Sequence, residues 1–250
     1  MNDRQMKMLQ YLRKKKAASM EELCRILNVS RSTARRDALE LQELGAVKTG
    51  GGRVSAVESN AIMRHYKIRE NEYVAEKERI AENAADFLKD GITLFMDGGT
   101  TTFKLCRIIK NYRDITVITN GIYVAAALAE VPTVSLFLAG GYGRQGLGTV
   151  HGEPTVEFLR QFKADVCFIS AGGVDIDGIY DASLQSAWAS RQMLQNAAVR
   201  VLLCDHSKFR HNLKFRLCDF SQIDYIITDR EPPKEVLKAA AVQKTEFIIG

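Results

Sequence analysis

The chain has 250 residues, 46% of them apolar and 26% charged, which is enough to bury a sizeable core and excludes a disordered or collagen-like chain. Its longest apolar runs, such as residues 134–139, fall far short of the roughly 18 residues that a membrane span needs, and residues 1–16 are polar rather than signal-like, so a cytoplasmic protein with no membrane partner is expected. The formal charge of +5 is unevenly placed: residues 1–60 hold 12 basic and 7 acidic side chains, and the remainder holds 23 of each, which predicts a basic, nucleic-acid-facing module on a charge-balanced body.

In chain order, residues 4–16 carry Met8, Leu9 and Leu12 at helical spacing with Lys14, Lys15 and Lys16 at the end favoured by the helix dipole. Ser19 followed by Glu22 is a capping-box pattern that starts a second helix. Asn28-Val29-Ser30 breaks it, and Ser30 caps a third helix over about 31–44. At 100° per residue, Ala34, Ala38, Leu41 and Leu44 share one arc of that helix and Arg31, Ser32, Arg35 and Arg36 the other. Leu39 falls on the basic arc, which periodicity does not explain. Two helices around a three-residue turn make a helix-turn-helix. The runs 47–49 and 53–55, flanking Gly50-Gly51-Gly52, read as a wing with Lys48 and Arg53 on its two arms.

The predicted domains are a winged helix-turn-helix over 1–57, a polar connector over 58–75 and a body over 76–250. The body opens with a helix to about residue 90. Strand-like runs at 92–96, 115–119, 134–139, 165–170, 200–204 and 224–228 then alternate with helices near 101–110, 121–129, 153–162, 184–197 and 233–240, the pattern of an α/β domain with a largely parallel sheet.

Strand ends in such a sheet converge on one edge, where ligands bind. After 92–96 come Asp97, Gly98, Gly99, Thr100, Thr101 and Thr102, a turn whose glycines, hydroxyls and free N–H groups suit a phosphate or another anion. It is not a P-loop, since no Gly-Lys-Ser/Thr follows. Asn120, Gly140, Gly141, Gly172 and Asp175 punctuate other strands, and Lys208 is the best-placed cation for a phosphate. Residues 141–146 match G-x-G-x-x-G, yet more glycines follow instead of a helix, which argues against a dinucleotide site. Five dispersed cysteines and four histidines show no zinc-like spacing, and no nucleophilic triad is visible, so no metal, cofactor or catalytic residue is expected.

These residues resemble the DeoR family of bacterial transcriptional regulators over nearly the whole length. The N-terminal match is Val29-Ser30 through Thr33, then Arg35-Arg36-Asp37. The C-terminal match runs through Glu76-Lys77, Asp97 to Thr102, Thr119-Asn120, Gly140-Gly141, Gly172, Asp175, Gly178, Asp205, Ser207-Lys208 and Thr228-Asp229. The resemblance implies a body similar to ribose-phosphate isomerases and glucosamine-phosphate deaminases, and a repressor of a sugar or nucleoside catabolic operon released by a phosphorylated sugar. It implies double-stranded operator DNA as partner, at least a homodimer, DNA contacts from Ser30, Arg31, Ser32, Thr33, Arg35 and Arg36, and an effector cleft lined by Asp97, Gly99, Thr100, Thr101, Asn120, Gly141, Asp175 and Lys208. Two departures from the family pattern stand out: Gly50 replaces the usual wing histidine, and Gln185-Ser186 and Ser190-Arg191 replace an acidic pair and Lys-Arg. The alternatives are a sugar-phosphate isomerase or deaminase, with Asp97 and Asp175 as acid/base groups, and a DNA-binding protein that senses no effector.

Overall fold

A computed structural model describes residues 1–57, 66–143, 146–209 and 213–250, and the chain divides into two units, Met1–Glu72 and Tyr73–Gly250.

In the first unit, α1 (Asp3–Lys15) opens with a capping box in which the Asn2 side chain accepts from the Gln5 N–H and the Gln5 side chain accepts from the Asn2 N–H, both at 2.9 Å. The short strand β1 (Ala17–Ser19) follows, and its three residues are too few to alternate visibly in the sequence. Helix α2 (Met20–Leu27) starts where Ser19 Oγ accepts from the Glu22 N–H at 3.2 Å. Asn28 takes the left-handed conformation in the turn, and Ser30 Oγ accepts from the Thr33 N–H at 3.3 Å to start α3 (Arg31–Glu43). The wing is β2 (Val47–Gly50) and β3 (Arg53–Ala56), joined by Gly51 and Gly52 at φ +56° and +71°. A two-residue hairpin with both central residues at positive φ needs such residues. Strand β3 lies between β1 and β2.

Met8, Leu9, Leu12, Leu23, Ala34, Ala38, Leu41, Val47 and Val54 form the core of this unit. Truncating Leu12 or Leu41 to alanine costs about 2–5 kcal/mol at such sites. Helix α4 (Tyr66–Glu70) adds Ile68 to the same core. Asp37 is buried in an ion pair with Arg4, whose Nη2 donates to Oδ1 at 2.9 Å, so this member of the Arg-Arg-Asp string fastens α3 to α1.

The second unit begins with α5 (Val74–Ala84), and its main sheet is built from β4 (Thr93–Met96), β5 (Ile115–Thr119) and β6 (Val134–Leu138) with helices α6 (Leu105–Ile109) and α7 (Ile122–Leu128) between them. A small ribbon, β7 (Tyr142–Gly143) with β8 (Val150–His151), precedes α8 (Glu153–Arg160) and β9 (Ala164–Ser170). The hairpin β10 (Gly173–Asp175) and β11 (Gly178–Asp181) leads to α9 (Leu184–Gln195), β12 (Ala197–Leu203), β13 (Phe215–Cys218), β14 (Tyr225–Thr228), α10 (Lys234–Val242) and β15 (Glu246–Ile249).

Among the described residues, seven parallel strands form the main sheet in the order β15-β14-β12-β9-β4-β5-β6. Alternation along each strand splits the core in two. Leu94, Met96, Phe168 and Leu203 pack with Ile80, Leu105 and Val124 on one face, while Phe95, Ile169 and Leu202 pack with Leu159, Met193 and Val236 on the other. All six predicted strands of the body are present. Beyond the predicted elements, the body has β15 at one edge of the main sheet, the antiparallel sheet β10-β11-β13 and the ribbon β7-β8. No helix among the described residues is long and apolar enough to cross a membrane.

Candidate functional site

The first unit presents a polar face on α3. Ser30, Arg31, Ser32, Arg35 and Arg36 are exposed and Thr33 is half-buried. The Ser30 hydroxyl is engaged with Ser32 Oγ and Thr33 Oγ1 at 2.9 Å each, so it organises the first turn as well as capping it. Arg31 lies 3.4 Å from Glu21, an exposed pair of small energetic weight. No ion pair occupies Arg35 or Arg36 among the described residues. Leu39 is also exposed, between those two arginines in the helical projection, so the residue that periodicity left unexplained is solvent-facing on the basic arc. The wing is tied to α3 where Gln42 Oε1 accepts from the Thr49 N–H at 2.8 Å, and its Lys48 and Arg53 side chains are exposed. Gly50 pairs with Arg53 at the end of the hairpin.

In the second unit, chain order runs outward from β4 to β6, then returns to β9 beside β4 and runs outward the other way. The carboxyl ends of β4 and β9 are therefore the topological switch point, the usual position of a ligand crevice. Asp97 stands there. Its Oδ2 accepts from Ser170 N–H and Oγ–H at 2.7 and 2.8 Å, and its Oδ1 accepts from Gly99 N–H and Thr102 Oγ–H at 3.0 and 2.6 Å. Four donors saturate this buried carboxylate, which clamps β4 to β9 and closes the turn. Its role is to shape the site, since a saturated carboxylate has no affinity to offer an anion.

Three loops nest at this edge. A Cβ on Gly98 would lie 2.1 Å from Thr149 Cγ2 and 2.8 Å from Gly121 Cα, so any side chain would strike backbone. The Asn120 Nδ2 donates to the Val150 carbonyl at 3.1 Å, the Val150 N–H donates to the Asn120 carbonyl at 2.9 Å, and Asn120 Oδ1 is buried without a partner. Thr100 and Thr101 are buried beside Thr102. His151, which the sequence reading passed over, is 3% exposed, bonded to Thr149 Oγ1 through Nε2 at 2.8 Å, and pushed by burial below the usual histidine pKa, so it is neutral near pH 7.

The other predicted residues lie along the same edge or off it. Gly140 and Gly141 follow β6 and are exposed, with the Gly140 carbonyl accepting from Thr155 Oγ–H at 2.7 Å. Gly172 follows β9 and donates to the Tyr180 carbonyl at 3.0 Å. Asp175 stands at the turn of the β10–β11 hairpin, where it accepts from the Ile176 N–H at 2.7 Å, rather than at an end of the parallel sheet. Lys208 closes the single turn after β12. From β6 to β12 is four strand spacings, about 19 Å, which is wider than one sugar phosphate.

Lys208 belongs to a buried charge group. Asp205 is fully buried, its Oδ1 accepts from the Ser207 N–H at 2.9 Å, and its Oδ2 has no hydrogen-bond partner. Burial raises the Asp205 pKa, and the combined pull of Lys208, the Ser207 hydrogen bonds and Lys77 more than offsets it, leaving the carboxyl below the ordinary aspartate range. Lys77 is itself only 2% exposed. Its signal in the sequence was a lysine on the stripe of Ile80, Ala81 and Ala84, where a solvated lysine has no place.

At the departures from the family pattern, Ser183 caps α9 by accepting from the Ser186 N–H, Gln185 is exposed and Ser190 is buried. Arg191 donates to the Leu217 carbonyl at 2.6 Å and to that of Arg216, so it fastens α9 to β13.

Comparison with known proteins matches residues 4–60 to the DeoR-like helix-turn-helix domain and residues 72–230 to the DeoR C terminal sensor domain. The glycerol-3-phosphate regulon repressor of Escherichia coli (strain K12) is 32% identical over 222 residues, covering 88% of this chain and 87% of that one. The HTH-type transcriptional repressor GlcR of Bacillus subtilis (strain 168) is 31% identical over 231 residues, covering 92% and 89%. Among solved structures, ribose 5-phosphate isomerase from Plasmodium falciparum superposes with a TM-score of 0.39 at 13% identity, over 54% of this chain and 53% of that chain. With both of its units matched in order and relatives above 30% identity over most of its length, the chain belongs to the DeoR family and is a DNA-binding transcriptional regulator rather than an enzyme.

Proposed function

We propose that this regulator represses a sugar or nucleoside catabolic operon, as a homodimer or higher oligomer on operator DNA, and is released by a phosphorylated sugar. The observation that carries the effector reading is the switch-point edge itself: a tight glycine turn with buried threonines beside β9, and Lys77 and Lys208 gathered on a buried Asp205 after the adjacent β12. Lys77 and Lys208 both act on Asp205, so cationic groups stand at this edge where a phosphate would be held at short range. The name of the Escherichia coli relative, a glycerol-3-phosphate regulon repressor, adds support for a small phosphorylated effector.

On DNA, α3 enters the major groove with its first turn near the phosphates and Arg35 and Arg36 divided between phosphate and base contacts, while Lys48 and Arg53 meet the flanking backbone. Dimer half-sites then lie about one helical turn apart. Effector occupancy favours a conformation of lower DNA affinity. The sequence division into 1–57 for DNA binding, 58–75 as connector and 76–250 for sensing is adjusted here: residues 58–65 lie outside the described residues, α4 belongs with the DNA-binding unit, and the sensing unit starts at Tyr73.

The test is a thermal-shift screen of phosphorylated sugars and polyols against the full chain, repeated as release from DNA selected out of a random pool. A phosphorylated compound that raises the melting temperature and releases DNA supports the reading. If only unphosphorylated compounds do both, the phosphate assignment is wrong.

A further inference from the structure

We infer that Glu76, His206 and Asp229 form a binding site for a divalent transition-metal ion of the zinc class, separate from the switch-point turn. Local spacing in the sequence shows no such site, because its members come from three distant places: the first turn of α5, the start of the single turn after β12 and the residue after β14. The fold brings one donor atom from each to within 4.8 Å of the others. Ligands on a tetrahedral ion with bonds of about 2.0–2.1 Å sit about 3.3 Å apart, so the side chains need close by at most about 1.5 Å. Glu76 and His206 are partly exposed and free to do so, while the Asp229 side chain is fully buried and fixed.

The donor chemistry sets the class of ion. Two carboxylates and a neutral imidazole carry two negative charges, matching a dication, and a nitrogen donor among oxygens favours zinc-like ions over calcium or magnesium. Asp229 is already tied to this turn: its Oδ1 accepts from the His206 backbone N–H at 2.6 Å, and its Oδ2 lies 2.7 Å from His206 Nδ1, a contact that opens by about 0.6 Å if the ion takes those two atoms. Tyr73 steadies the ring from the other side in an edge-to-face contact with centroids 5.0 Å apart.

A side-chain cation already neighbours this cluster. Arg230 Nε is 3.3 Å from Asp229 Oδ2 and its Nη2 is 3.7 Å from Glu76 Oε1, yet the side chain is 60% exposed. These are long contacts from an exposed side chain, so Arg230 acts as a competitor that a metal ion displaces into solvent. Bound metal ties the first turn of α5, which also carries Lys77, to the ends of β12 and β14.

The test uses the untagged full chain after chelator treatment, titrated with Co²⁺ by visible absorption and with Zn²⁺ by competition. We expect one equivalent per chain, loss of the site in His206→Ala, at least about tenfold weaker binding in Glu76→Gln, and tighter binding in Arg230→Ala. Cys24→Ser, at the one cysteine that is not buried, keeps wild-type binding. Absence of a Co²⁺ spectrum in the wild type, or wild-type affinity in either His206→Ala or Glu76→Gln, overturns the assignment. Glu76→Gln, on a partly exposed helix position, keeps the test decisive if the histidine variant does not fold. The readout needs neither DNA nor a sugar phosphate, so it stands apart from the proposed function.

Discussion

The two units handle charge in opposite ways. Met1–Glu72 carries 15 basic against 9 acidic residues, with Arg35, Arg36, Lys48 and Arg53 exposed, whereas Tyr73–Gly250 carries 20 against 21 and buries its key cation Lys77 against Asp205. An exposed array suits a polyanion, where each phosphate neutralised releases counterions and affinity falls steeply with salt. A buried, partly compensated pair suits one small anion bound at short range, and salt reaches it far less. On the proposed function, the same residue types serve a long polymer in one unit and a small molecule in the other, with burial making the difference.

The largest effect that would break this contrast is on DNA. Arg35→Ala with Arg36→Ala should weaken binding by about 3 kcal/mol or more, upward of a hundredfold, and flatten the salt dependence by about one to two units of slope; a gel-shift titration at several salt concentrations reads both, with the melting temperature unchanged. Asp97→Ala should cost about 3 kcal/mol of stability in the second unit, because four donors lose their acceptor; an unchanged denaturation midpoint contradicts the clamp. Lys208→Ala should weaken a phosphorylated effector by about 1.5–3 kcal/mol, in line with loss of one charged hydrogen bond, and calorimetry should show little dependence of that loss on salt.

Smaller still is the acid limb of stability. Asp224 accepts from Arg200 at 3.0 and 2.7 Å, and this pairing holds its carboxyl below the usual value. A depressed pKa means stability that is full above the ordinary aspartate pKa and lost as pH falls through the lower folded value. Melting curves from pH 5 down to pH 3 should therefore decline less in Asp224→Asn, by under about 1 kcal/mol for a pair this solvated. Last, four cysteines are buried, with the Cys106 and Cys218 thiols pushed up to about 12; alkylation of the native protein should label Cys24 alone, as mass spectrometry would show.

Local signals were legible in the sequence and long-range ones were not. Ser19 and Ser30 announced their helices because a cap is a contact between residues three apart. The alternation of body strands and helices was visible because each buries a regular face. Asp97, by contrast, read as a ligand contact, and its carboxylate is consumed by Ser170, 73 residues later. Asp37 sat in a DNA-binding string while pairing with Arg4 across 33 residues. Strand β15 lies at a sheet edge with none of its residues buried, so it carries no core pattern, and β10-β11-β13 hid inside punctuation that looked like ligand loops. His206 lacked any local partner because Glu76 and Asp229 meet it only through the sheet.

The back-to-back approach of Gly98 and Gly121 limits what can be changed at this edge. With backbone against backbone at the middle of the edge, no side chain can be introduced there, and the floor of the crevice is closed to mutation. A side chain at Gly98 or Gly121 would have to move the backbone of the other loop before it could touch anything bound at this edge.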